Sequence, residues 1–420
     1  MIILKISFIL RIFIGGLPGG RKLCAMNQSI EAQEKIYTIS QVYWLNVAFL
    51  TLTPLVSLIG IPLYLSKVGF TWPIMTLFVF FFVATGLSIT GGYHRLFSHK
   101  SYEANSIIKF FFLIFGAAAF QKSTVKWCSD HRLHHRYVDR LNDPYSIQKG
   151  FFYAHIGWVF LKDSVNSFDN VHDLLEDRLV RWQHRYYFLI ACFMGFVVPF
   201  LLGLLFNDPW GGLLWAGFVR TVLVHHSTFL VNSLSHFIGK QPYSLKNSSR
   251  DNTLTAFLTF GEGYHNYHHQ FQYDYRNGIR WYQWDPTKWM IKSLEVIRFV
   301  RKLRRASDES IFKAKILVQR EKLLQKMDII SIKLPETLEQ KLNLAQEKLL
   351  SARVRWTQMK MEYKAVKNSM DNRRIDILKK LKDDLLSSKK QLKEAYAVWN
   401  SLIHEFYHVL QNHRLSLPTH

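Results

Sequence analysis

The chain has 420 residues, 49% of them hydrophobic and 15% aromatic, and a formal charge of +23 at pH 7. Its three cysteines, Cys24, Cys128 and Cys192, are far apart and form no CxxC pair, which excludes a disulfide framework and a cysteine-ligated zinc site. So basic a balance fits nucleic acid or an anionic membrane face, and the long apolar segments select the membrane and leave no role for nucleic acid.

The chain opens on an apolar run, interrupted by Lys5 and Arg11 and followed by a Gly-rich stretch with Arg21 and Lys22. Positive charge inside and after the run does not suit a secretory signal. Residues 1–39 are read as a cytoplasmic segment, with Met26 as the expected natural start. Four apolar stretches then match the roughly 20 residues needed to cross a bilayer; they cover 43–65, 71–90, 186–206 and 209–229. Short connectors at 66–70 and 207–209 pair them as two hairpins, and the other flanks are rich in Lys and Arg. The positive-inside rule places both termini and the 91–185 region in the cytoplasm. The stretches 107–120 and 151–161 are too short to span and are read as interfacial helices.

The expected fold is all-α, an integral membrane bundle of four transmembrane helices under a cytoplasmic helical cap. This membrane domain covers 40–300, and 301–336 is expected to be a basic linker. Over 337–420, two runs step by alternating threes and fours, from Leu338, Leu342 and Ala345 to Met370, and from Leu378, Leu381 and Leu385 to Val409. Such heptads predict a coiled-coil tail suited to self-association or partner binding. The runs are out of register around 372–377, so either one helix carries a stutter or the chain turns back at 368–373.

Histidine carries the chemistry. The clusters are His94-Arg-Leu-Phe-Ser-His99, His131-Arg-Leu-His134-His135 and His265-Asn-Tyr-His268-His269, with a lone His236 at the end of the fourth stretch. Residues three and four apart share one helical face, so His131 converges with His134 and His135, and the third cluster repeats the device. Adjacent histidines sit about 100° apart and can reach two different metals. The spacing of five in the first cluster fits a helical face poorly and suggests a helix end where the backbone bends. Imidazole suits iron, copper, zinc and nickel, and nine imidazoles at the cytoplasmic ends of spans are too many for one ion and suit two.

The motifs Gly-Gly-Tyr-His94-Arg-Leu-Phe-Ser-His99, Asp130-His131-Arg-Leu-His134-His135-Arg and Gly-Glu262-Gly-Tyr-His265-Asn-Tyr-His268-His269 resemble those of the membrane-bound delta-9 (stearoyl-CoA type) fatty acid desaturases. The stretches Asn-Asp143-Pro-Tyr145 and Phe-Tyr-Ala-His155-Ile-Gly-Trp158 are similar to bacterial members, and the likeness covers about 40–300. The resemblance implies two iron ions, one held by His94, His99, His131, His135 and His268, the other by His134, His236, His265 and His269, with Asn232 near the second ion through a water. It implies O2 as co-substrate, a bacterial inner membrane, and contacts from Asn46 and Asp130 to an acyl-CoA head. Lys122, Ser129 and Phe229 depart from the animal pattern, so an acyl-lipid or acyl-carrier-protein substrate stays open.

Desaturating an unactivated CH2–CH2 pair needs an oxidant that no side chain supplies. Asp130, Glu262 and Asp143 are candidates to anchor the outer imidazole nitrogens. Protonation of the imidazoles should remove activity below about pH 6. No His-Pro-Gly-Gly haem signature and no cysteine set for an iron–sulfur cluster occurs in the chain, so the electrons are expected from a separate ferredoxin or b-type cytochrome, drawn by Arg132, Arg136 and Arg140. Two other readings compete: hydroxylation of an alkyl chain by the same irons, and a scaffold built on the tail. His404-Glu405-Phe-Tyr-His408 matches a zinc-protease pattern but is expected to be a decoy, because Phe406 falls on the heptad seam.

Overall fold

The computed structural model describes residues 39–162, 167–329, 336–368 and 375–415. The expectations for the N-terminal segment, for Met26 and for the turn within 369–374 lie outside the described residues.

Among the described residues, three helices are long and apolar enough to cross a membrane: α1 (Trp44–Lys67), α2 (Trp72–Ser98) and, after α3 (Ser106–Ala118) and α4 (Thr124–Tyr137), α5 (Tyr187–Leu204). In α1 only 17% of the most apolar window is buried, so its Leu and Val side chains face outward, as lipid-facing residues do. The fourth expected span is helical through 209–237, ending in α6 (Arg220–Phe237), but lacks the apolarity of the other three. Arg220, His225 and His226 interrupt it. Arg220 is fully buried and donates to the carbonyls of Ala216, Ala118 and Gly195. Two of those carbonyls belong to wide π-helical segments, Phe193–Val197 and Gly212–Val219, where the ordinary backbone ladder is broken. The charge therefore serves the backbone rather than solvent.

The short stretch expected to be interfacial at 107–120 is the single helix α3, whose Asn105 side chain caps it by accepting from Ile108 N at 3.0 Å. The stretch at 151–161 breaks into a helical turn, Phe151–His155, and a 3-10 turn, Gly157–Phe160. After α6 come α7 (Thr253–Leu258), α8 (His265–Gln270) and α9 (Pro286–Val296). A two-residue antiparallel pairing, Glu103 with Arg301 and Ala104 with Val300, ties the end of this unit to the loop after α2.

The described residues of 306–415, with 242–245, belong to a second compact unit. The stretch expected as a linker contains a 22-residue helix, α10 (Asp308–Ile329). The heptad runs form α11 (Glu336–Asn368) and α12 (Ile375–Leu415). Leu342 and Leu349 of α11 share one buried cluster with Trp399, Phe406 and Leu410 of α12, and Ile316, Leu323 and Met327 of α10 complete it. The early part of α11 thus meets the late part of α12, so the two helices pair antiparallel. The seam is closed by a third helix, tied by Trp399 Nε1 donating to Gln319 Oε1 at 2.9 Å and Arg320 to Asn343 Oδ1 at 2.6 Å.

Candidate metal centre

The first histidine pair owes its position to an uncommon backbone. The last part of α2, Ser88–Ser98, is π-helical, with His99 N bonded to His94 O at 3.2 Å. A turn closed between residues five apart stacks His94 and His99 on one face, their rings 4.9 Å apart. The spacing that fits an ordinary helix poorly fits this one, and the expected bend is a widened turn. His131, His134 and His135 occupy the last turns of α4, and His265, His268 and His269 fill α8. His236 closes α6.

Two groups result. His94, His99, His131, His135 and His268 form one; His134, His236, His265 and His269 form the other, with ligand atoms in each within 4.8 Å of one another. Within the first, Nε2 atoms lie 3.0 Å apart for His94–His268, 2.8 Å for His99–His131 and 3.0 Å for His135–His268. In the second, His134–His269 is 3.3 Å, His236–His265 3.0 Å and His265–His269 3.0 Å. Imidazole nitrogens about 2.1 Å from one ion lie about 3.0 Å apart at right angles and about 4.2 Å apart when opposite. The separations of 2.8–3.3 Å match the right-angle value.

The outer nitrogens bear on whether the inner ones can hold a cation. His94 Nδ1 meets Glu262 Oε2 at 2.8 Å, and His134 Nδ1 meets Asp143 Oδ1 at 2.9 Å. A carboxylate there accepts the Nδ1 proton and leaves Nε2 as a bare lone pair. His236 Nδ1 donates to Ser248 Oγ at 2.8 Å, and Ser248 Oγ donates to Asp139 Oδ1 at 2.6 Å. His131 Nδ1 lies 3.3 Å from Tyr145 Oη. Bare nitrogens facing each other at about 3 Å repel unless a cation sits between them. The residues present fit a metal pair.

His131, His135, His265, His268 and His269 are all held well below the ordinary imidazole range, first by burial and then by neighbouring imidazoles. These five imidazoles are therefore neutral and ligand-ready. Burial pushes the Glu262 carboxyl up, but the hydrogen bond from His94 and the charge of and hydrogen bonds from Arg95 carry it below the usual carboxylate range. Arg95 bonds both Glu262 and Asp285, and Asn277 Nδ2 donates to Glu262 Oε2 at 2.7 Å. The carboxylate that orients His94 is itself fixed on three sides.

A cavity of about 880 Å³ reaches His94, His131, His134 and His265. Its walls are mostly apolar, with Leu45, Phe49, Ile89, Val224 and Phe229 among them, and Asn46, Asp130 and Asn232 also line it. Asn46 Nδ2 donates to Val159 O at 2.8 Å. Asp130 does not reach a histidine; it pairs with Lys122 at 3.0 Å and Lys126 at 2.9 Å, which corrects its expected anchoring role. Arg132 is likewise spoken for, gripping Asp173 and the carbonyls of Phe97, Ser98 and Asn170. Gln121, which no motif pointed to, donates to Thr228 Oγ1 at 2.9 Å and accepts from Trp127 Nε1 at 3.4 Å inside the cavity wall. Tyr145, Ser248 and Asp139 were also not singled out, although Tyr145 lies within a quoted motif.

Of the HExxH residues, Phe406 is buried while His404, Glu405 and His408 are exposed, and neither metal-capable group among the described residues includes them.

The fold and site define a helical membrane protein with two polyhistidine metal positions at the wall of an apolar cavity. A family profile described as Fatty acid desaturase matches residues 70–295. The chain is 41% identical over 291 residues to Acyl-CoA desaturase 1 of Saccharomyces cerevisiae, covering 67% of this chain and 56% of that protein. It is 34% identical over 280 residues to Acyl-CoA desaturase 1 of Tachysurus fulvidraco, covering 64% and 82%. It is 36% identical over 261 residues to Stearoyl-CoA desaturase 5 of Homo sapiens, covering 60% and 77%. The chain belongs to the fatty acid desaturase family. It spans little more than half the length of the Saccharomyces relative.

Proposed function

We propose that the protein is an O2-dependent acyl desaturase that inserts a cis double bond, at the delta-9 position, into a long-chain saturated acyl group carried on coenzyme A. The observation that carries this is the abutment of the two imidazole groups on one long apolar cavity. His94, His99, His131, His135 and His268 would hold one iron, and His134, His236, His265 and His269 the other, with Asn232 nearby. When bound, the iron pair supplies the O2-dependent oxidising power that side chains lack.

The chain's own residues do the rest. The apolar walls take the acyl chain out of water and orient it. Lys122, Lys126 and Lys162 edge the same cavity and suit the phosphates of a coenzyme A head. Gln121, locked to Thr228 and Trp127, keeps two walls in a fixed relation, so that one CH2–CH2 pair is selected. Glu262, Asp143 and Ser248 hold the outer imidazole protons, which keeps the inner nitrogens free. An external ferredoxin or b-type cytochrome delivers the electrons. The membrane placement, with both termini on the histidine side, and the setting in a bacterial inner membrane rest on the loop charges and the motif likeness. The tail, as an oligomerisation or partner-binding module, rests on its separate compact unit.

The test is a fatty acid profile. Cells fed saturated chains and expressing the protein should gain cis-monoenes, located by derivatisation and mass spectrometry, and cells expressing His268→Ala should not. Hydroxylated chains instead would favour the hydroxylase reading. Neither product, from folded and iron-loaded protein with a competent donor, would sink both.

A further inference from the structure

The third histidine motif is bracketed by two segments that carry large apolar side chains into the open. On α7, Leu254 and Phe257 are 64% and 60% exposed and share a face with Leu258, while Thr255 and Ala256 turn inward. After α8, Trp281 is 86% and Tyr282 56% exposed, and Trp284 and Trp289 are also exposed. The groups are linked: the rings of Phe257 and Trp284 lie 5.1 Å apart, and those of Trp284 and Trp289 5.5 Å apart. Lys288 sits beneath this surface, its Nζ donating to the carbonyls of Gly278, Arg280 and Gln283 while lying 5.7 Å from the Trp289 ring.

The surface continues from the membrane helices. Ser227, midway along α6, donates to Leu258 O at 2.6 Å. The Phe260 ring lies tilted against Phe82 of α2, centroids 5.4 Å apart, and presses against Gly86, where an added Cβ would come within 2.4 Å of it. Phe82 precedes His94 by a dozen residues, roughly 18 Å along a helix. The segment after α6 thus lies beside the apolar part of α2, not above its end. Tryptophan and tyrosine over leucine and phenylalanine, with cations close behind, is the composition of a bilayer interface.

We propose that α7 and the Trp281–Trp289 turn form an interfacial bilayer anchor, additional to the spanning helices, that docks the loop carrying His265, His268 and His269 onto lipid. The occupant is the headgroup and upper acyl layer. Apart from Arg280 at its edge, bonded to Tyr282, the exposed set is aromatic and aliphatic; a lone cation beside aromatic rings suits lipid phosphates, whereas a second copy or an electron-donor protein would call for charges of both signs or a wider polar rim. The anchor stands independently of the proposed reaction.

The test uses the full chain in phosphatidylcholine nanodiscs, with and without acyl chains brominated close to the headgroup. Subtracting the emission of Trp281→Phe and Trp284→Phe from that of the unsubstituted protein isolates each ring. Both signals should fall at least about twofold in brominated lipid and resist aqueous iodide. Free quenching by iodide with none by bromolipid would overturn the anchor. So would protection from both quenchers, which would mean that protein covers the surface. If Trp284→Phe fails to fold, Trp281→Phe alone decides, since that side chain packs against little.

Discussion

Replacing Asp143 by Asn separates the two metal positions. Asp143 Oδ1 accepts from His134 Nδ1 at 2.9 Å and from Tyr145 N at 3.2 Å, while Oδ2 accepts from Asp139 N at 3.1 Å. Asparagine has one acceptor oxygen, so either His134 or the Asp139 amide loses its partner, and the charge on the His134 proton is lost in both cases. A charge-assisted bond of this kind contributes about 1.5–3 kcal/mol, which is about 10- to 100-fold in affinity, the range seen for outer-sphere partners of metal ligands. The loss should fall on the group of His134, His236, His265 and His269, because no ligand of the other group touches Asp143. In a chelator titration of iron-loaded protein, Asp143→Asn should release one of two ions at about 10- to 100-fold lower chelator than the unsubstituted chain and keep the second. Asp130→Asn is the control, since Asp130 pairs with lysines and should leave both ions in place. If Asp143→Asn holds both ions as tightly as before, or loses both together, the assignment of separate positions with separate outer partners is wrong.

The remaining expectations are simpler. His268→Ala should lower desaturation by at least about 100-fold, since it removes a ligand rather than its support, and iron analysis should show depletion first at the group containing His94. The metal-free protein should lose stability as pH falls below about 6.5, the unfolded imidazole value. His131, His135, His265, His268 and His269 have folded values below it, so the unfolded chain binds more protons there and stability rises with pH, by up to about 1.4 kcal/mol per pH unit for each such group. Thermal midpoints of metal-free protein between mildly acid and neutral pH check this, and a flat profile would refute it. Trp399→Ala in α12 should cost about 3–5 kcal/mol of tail stability, because the ring is fully buried and donates to Gln319. Hydrogen exchange of the full chain should show faster exchange across α10, α11 and α12 with the membrane unit unchanged.

Much of this protein was legible from residue spacing alone. The motifs HxxHH state their own geometry, because positions three and four apart share a helical face. Apolar run length declared α1, α2 and α5 for the same kind of reason: a bilayer has one thickness. The heptads of α11 and α12 likewise announced helices with a buried seam. Each of these is a local periodicity, and periodicity survives in one dimension.

Contacts between distant residues were settled only by packing. Asp130, Asp143 and Glu262 looked equivalent as anchors, yet only Asp143 and Glu262 reach imidazoles, Glu262 doing so from the far side of the chain beside Arg95. The widened turn that brings His94 to His99 depends on tertiary support for an unfavourable backbone, which no spacing rule supplies. Arg220 lies inside an apolar stretch, and only packing brings the carbonyls of Ala118 and Gly195 to it. The helix α10 has too little apolar periodicity to announce itself, and becomes a core element only because the seam of α11 and α12 leaves room for its Ile316 and Leu323. The sequence therefore determined which histidines could serve as metal ligands and which segments are helical, through spacing and composition. The tertiary structure decided which carboxylates orient the ligands, since hydrogen-bond partners far apart in the chain are chosen by where the packed helices bring them.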